Sequence, residues 1–280
     1  ERDGVVIDDA DKVAEHMERF LFPQLEARIA DTDPLDEAAV DRLLADLGVR
    51  QKLFGPDILA VPYGRQFGNF PVMRYNLYGY VHYFTAYLMY PELMERDFKL
   101  QADLAEKTNA IAVQAFRKAD IPQLIRLDFD MADSAGPLVD LRSLEAIWFP
   151  HFARAIKPLL DARIRCLWHC DGNLMPMVPG LIEAGIGGFQ GFQYEVGMDY
   201  ERICKMTDRD GNPLMIWAGV SVTRTLPSGT PHDVRAEMKW LVENGPPMGL
   251  FLGASSSITP GVPWANLETM VEGLRYYREH

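Results

Sequence analysis

The chain has 280 residues, 48% of them hydrophobic, and 28 lysines and arginines against 40 aspartates and glutamates leave a formal net charge of −12. That composition can build a large core and argues against a nucleic-acid-binding protein or one drawn to an anionic membrane surface. The apolar runs are short and interrupted, so no transmembrane span is expected.

The polar start, Glu1-Arg2-Asp3-Gly4, carries no signal-peptide pattern and no Met. The expectation is a chain that begins inside a longer gene product, its N-terminus truncated. The three cysteines, Cys166, Cys170 and Cys204, do not suggest a disulfide framework and suit a reducing cytoplasm. Asp9 to Ile29 places Val13, Met17, Phe20 and Leu21 at helical spacing, and Asp36 to Leu47 repeats the pattern with Gly48 as a stop signal. Ile58 to Tyr63 predicts a buried strand. Tyr75 to Met89 predicts a buried aromatic helix, and Pro91 opens another running to about Lys118.

A strand–helix cycle follows. Apolar strands are predicted near 121–127, 163–168, 185–190, 214–219 and 249–254. The clearest helices between and after them are Leu141 to Leu160, Leu174 to Glu183, His232 to Asn244 and Trp264 to Arg278. Alternation without hairpin signals argues for a parallel sheet. Neither Gly-x-Gly-x-x-Gly nor Gly-x4-Gly-Lys-Ser/Thr occurs, so a closed (βα)8 TIM barrel of the α/β class is favoured over an open nucleotide-binding sheet. The expected organisation is one domain, 1–280, with 1–54 as a helical N-terminal elaboration and 55–280 as the barrel.

Polar residues gather just past the strands, where a parallel α/β fold does its chemistry. Asp128, Asp130 and Asp133 follow the first of the five. His169, Asp171 and Asn173 follow the second, in Trp168-His169-Cys170-Asp171-Gly172-Asn173. Gln190, Gln193 and Glu195 follow the third, Ser221, Thr223 and Arg224 the fourth, and Ser255, Ser256 and Ser257 the fifth. Trp168, Phe189 and Trp217 place aromatic surface beside them, the composition of a small-molecule pocket. Asp128 and Asp130 would share a face if the strand continues, and a like-charge pair can raise one pKa. Cys170 would point away from His169 by alternation and reads as structural. His16, His82, His151 and His232 lie within helical segments and read as surface or packing residues.

The segment His169 to Gly185, Gly197-Met198-Asp199, Gly219-Val220-Ser221 through Pro231, and Ile258 through Asn266 resemble the uroporphyrinogen decarboxylase superfamily over roughly residues 55 to 275. The resemblance implies a (βα)8 barrel and a homodimer. It also implies either a metal-free porphyrinogen decarboxylase or a zinc methyltransferase that works with corrinoid proteins. The zinc members carry His-x-Cys at the rim and a further Cys in the last barrel loop. Here Asp171 stands where the first Cys would be and Ser256 falls at about the last. Losing both thiolates argues against zinc that activates a thiol, and the expectation is no resident metal. If any metal binds, His169, Asp171 and Glu195 would hold it. The Arg-rich N-terminal motif of the decarboxylases is not seen; Arg65, Arg74 and Arg224 are the available cations.

The implied function is therefore methyl transfer between a small methylated substrate and a corrinoid (cobalamin) protein, with no tightly bound cofactor. His169, Asp171 and Asp130 would be catalytic. Asp128, Trp168, Asn173, Gln190, Gln193, Glu195, Trp217, Arg224 and Ser256 would bind substrate. Two alternatives stay open: a carboxy-lyase acting without metal on a small carboxylate, and a non-catalytic relative that binds a corrinoid or porphyrin.

Overall fold

The computed structural model describes residues 1–56 and 58–279. It falls into two compact units, one made of residues 1–127 and 142–165, the other of 128–141 and 166–280.

The first unit is helical. α1 (Ala10–His16) begins at Asp9, whose carboxylate accepts from the Lys12 amide, and runs through a π-helical stretch, Met17–Leu21, into α2 (Phe22–Asp31). Asp36 caps α3 (Glu37–Phe54) in the same way. Gly48 does not end this helix. The helix continues six residues further, to Phe54, and Gly55 follows it at a φ of 73°, a backbone conformation that glycine adopts without a steric penalty. The aromatic helix predicted over 75–89 is broken at Gly79, also at positive φ, into α4 (Tyr75–Tyr78) and α5 (Tyr80–Met89). α6 (Pro91–Lys118) has the predicted bounds, with proline at its first position.

α6 is the spine of this unit and packs against α2, α3 and the helix Phe149–Asp161. Asn109 on α6 accepts from the Asn69 amide and donates to the carbonyls of Asn69 and Ala155, pinning a loop and a helix at one point. α7 (Leu141–Ile147) and α8 (Phe149–Asp161) divide the single helix expected over 141–160; Pro150 starts the second. Trp148 between them stacks on Phe152 at 4.6 Å and donates its indole N–H to the Pro71 carbonyl. The strand expected at 58–63 does not form. Ile58 and Leu59 are exposed, and only Tyr63 makes an isolated parallel bridge, to Arg126.

The sheet order is β1-β2-β3-β4-β5, all five strands among the described residues. They are β1 (Leu124–Asp128), β2 (Arg165–His169), β3 (Gly188–Gln190), β4 (Met215–Val220) and β5 (Leu250–Ala254). Each lies within about three residues of its expected position, and the β2–β3, β3–β4 and β4–β5 ladders are parallel. Between them in the second unit run α9 (Val178–Ala184), α10 (Tyr200–Cys204), α11 (Thr225–Ser228) and α12 (Pro231–Asn244), and α13 (Trp264–Glu279) closes the chain. Thr230 and Asp233 form a reciprocal capping box on α12. Val220, Leu226, Val234, Met238 and Met270 join β4, α11, α12 and α13 in one apolar cluster. Among the described residues no helix is long and apolar enough to cross a membrane.

Candidate functional site

The register of the second unit decides which side chains can meet. His169, Gln190, Trp217 and Phe251 stand opposite one another across β2 to β5, forming one cross-strand row on a single face. The preceding row, Trp168, Phe189 and Ile216, faces the other way and is almost wholly buried. Trp168, expected to wall the pocket beside His169, therefore lies on the opposite face, because successive strand residues alternate. Trp217 does share the His169 face and sits 6.2 Å from the Phe251 ring.

At the carboxyl end of β2 a compact polar group forms. Ligand atoms of Asp130, His169 and Asp171 all lie within 4.8 Å of one another. His169 Nε2 is 3.9 Å from Asp128 Oδ1. The Asp171 amide donates to Asp130 Oδ1 at 3.1 Å, and Ser256 Oγ donates to Asp171 Oδ2 at 3.2 Å. Two polar atoms here are buried without a hydrogen-bond partner, His169 Nδ1 and Asp171 Oδ1. Burial raises the Asp171 pKa, His169 opposes that rise, and the neighbouring charge of Asp130 adds to it.

Backbone geometry holds this group in place. Gly191, at φ 90°, passes so close that a Cβ would lie 2.9 Å from His169 Nδ1. Cys170 is turned inward: its thiol accepts from the Met131 amide and lies 3.0 Å from the Asp171 carbonyl. Burial pushes its pKa to about 12, as suits a structural cysteine.

The remaining candidates have other hydrogen-bond partners. Asn173 Oδ1 accepts from the Met175 amide, the work of a turn residue, and Gln193 accepts from the Gly172 amide. Gln190 is buried and reaches the Ser255 carbonyl. Glu195 is not in the His169 group: its carboxylate accepts from the hydroxyls of Ser221 and Thr223, and its carbonyl from Arg224. Asp130 instead of Glu195 completes the set that could take a cation.

Glu237 was not singled out by the sequence. It accepts from the Ser221 amide at 2.9 Å, its other oxygen is buried without a partner, and burial raises its pKa to about 7. Ser221 thus bridges two carboxylates, Glu195 through its hydroxyl and Glu237 through its amide. Nothing in a helical sequence distinguishes Glu237 from the solvated acids around it.

The donor set at His169 suits a metal of mixed nitrogen and oxygen preference and not a thiolate-seeking one. The two orphaned atoms, His169 Nδ1 and Asp171 Oδ1, are compatible with that use. Such an ion would act as a Lewis acid toward a bound substrate.

No protein-family model matches the chain, and no curated protein sequence matches it. A solved structure, a methyltransferase from Methanosarcina mazei, is similar in fold with a TM-score of 0.60, at 18% identity over 84% of this chain. The present chain spans 64% of the length of that methyltransferase. At this identity the likeness shows the fold.

Proposed function

We propose that the second unit carries the active site of a methyltransferase that moves a methyl group between a small methylated compound and a corrinoid protein, on a sheet that belongs to a (βα)8 barrel. One observation carries the reading. His169 Nδ1 and Asp171 Oδ1 are buried polar atoms without partners at the end of a parallel strand. A buried polar atom left unpaired costs on the order of 1–3 kcal/mol, and a bound substrate that pairs with both offsets that cost. The methyltransferase fold of the structural neighbour agrees with this assignment.

In this reading Asp171, oriented by Ser256, gives a proton to the heteroatom that carries the methyl group. The carbon–heteroatom bond breaks toward that atom, which leaves as its protonated form. A reduced corrinoid presented by a partner protein would supply the electron pair that accepts the methyl carbon. His169 hydrogen-bonds the leaving atom, and Trp217 and Phe251 supply the apolar wall. General-acid catalysis of this kind contributes about 10²–10⁴-fold. Incubation with a reduced corrinoid and a panel of methoxy-aromatic and methylamine donors tests the reading. Methyl-corrinoid forms if it is right, and the absence of methyl transfer across the panel sinks it.

A second reading rests on the 4.8 Å grouping of Asp130, His169 and Asp171. Here the three would hold a divalent cation, which would supply Lewis-acid chemistry at the same heteroatom. Elemental analysis of protein purified without chelators separates the two: metal lost on His169→Ala supports the cation, and its absence from wild-type protein supports the acid.

A further inference from the structure

The first unit contains a cavity of about 590 Å³ whose lining includes Arg28, Arg42, Arg65 and Arg74 and, among the described residues, no acidic one. It shares no residue with the His169 group. Its size is within the range of small-molecule pockets, and Leu43 and Ile111 give it an apolar wall. The four arginines come from α2, α3 and the loop before α4, so no single amphipathic helix face explains their meeting.

They are not equally neutralised. Arg74 is spent on Asp97, which accepts from its Nε and Nη2 in a buried pair. Arg42 lies 3.7 Å from Asp36 at the exposed edge. Arg65 is held by Asn69 Oδ1 and the Phe70 carbonyl through Nε and Nη2; it makes no ion pair among the described residues, and Asp97, already engaged by Arg74, acts on it only at longer range. Arg28 makes no ion pair among the described residues. Arg65 stays accessible because the cavity is open. Crowding by the protein, with the charges of Arg74 and Arg28, nevertheless pulls its pKa down to about 10. Two cations without an ion-pair partner among the described residues thus line one concavity, close enough that the charge of Arg28 acts on Arg65, an arrangement that favours an anion of matching charge.

We propose that this cavity binds an organic dianion, its charged group taken by Arg28 and Arg65 and its apolar body seated against Leu43 and Ile111. Arginine is suited to this role because its planar fork matches both carboxylate and phosphate oxygens. The dianion is a phosphate monoester or a dicarboxylate, which present the same charge to the same pair.

The test is isothermal titration of the full chain at low ionic strength with phenyl phosphate, with phthalate, and with the monoanion benzoate. One saturable site for phenyl phosphate, for phthalate or for both supports the proposal and identifies the source of the charge. Benzoate binds at least tenfold more weakly. Arg65→Gln weakens the dianion at least tenfold. Arg28→Gln, at an exposed position and therefore tolerated by the fold, does the same. Failure of both dianions to bind, or affinity unchanged in Arg28→Gln, overturns the proposal.

Discussion

Ser256 Oγ donates to Asp171 Oδ2 at 3.2 Å across 85 residues of chain. The contact joins the loop after β5 to the loop after β2 within the second unit, and it leaves the other Asp171 oxygen buried and free for a substrate. Asp171→Asn keeps the shape and removes the acid. On the proposed reading, methyl transfer falls about 10²–10⁴-fold while the melting temperature stays within a few degrees of wild type. Ser256→Ala removes only the orienting bond and should cost less than Asp171→Asn. Rates and melting curves of the two variants side by side check the order.

Gly191 admits His169. A methyl group there would meet His169 Nδ1 at 2.9 Å and the Cys170 carbonyl at 3.0 Å, on a backbone with φ 90°. Gly191→Ala should therefore destabilise the protein by about 1–3 kcal/mol, through positive-φ strain and overpacking, and also displace the imidazole. Urea denaturation measures the first effect, and the histidine ring resonances in NMR report the second.

Glu237 gives the fold a pH dependence. Burial raises its pKa from 4.5 to about 7, so the folded chain binds this proton more tightly than the unfolded chain. Below pH 4.5 the group is neutral in both states and costs nothing. As pH rises toward about 7 the folded state progressively loses stability relative to the unfolded one, and above that the loss is constant. Glu237→Gln keeps the acceptor for the Ser221 amide and removes the charge. Its melting temperature, relative to wild type, should climb between pH 4.5 and about 7 and then level off. A parallel pair of curves would refute this.

The Arg74–Asp97 pair holds the first unit. Asp97 is fully buried, accepts from Arg74 Nε and Nη2, and also accepts from Gln101. Breaking one side of such a pair leaves a buried charge without compensation, which costs about 3–5 kcal/mol. Asp97→Asn should lose stability on that scale in urea, and Arg74→Met less, because a protonated aspartate can stay buried.

The strands, and most of the helices after Pro91, were legible because their signals are local. β-branched and apolar runs alternate with amphipathic segments, and Pro91 marks a helix start by its own chemistry. The failures were local signals that the surroundings overrode. Gly48 is a tolerable residue inside α3 once that helix packs on α6. Ile58 and Leu59 have the composition of a strand, yet both stay exposed and only Tyr63 in this run finds a bridging partner.

The chain by itself determined that the fold is α/β with a parallel sheet and that His169 and Asp171 stand at the end of a strand, since periodicity and strand–loop boundaries are written in neighbouring residues. The tertiary structure alone decided what those residues meet. It set Trp168 and Trp217 on opposite faces through register, put Asp130 and not Glu195 beside His169, brought Glu237 under Ser221, and gathered four arginines from distant segments around one cavity. Each of these is a contact between residues far apart in sequence. Its energy depends on burial and on which neighbour is present, and neither quantity is carried by any local pattern.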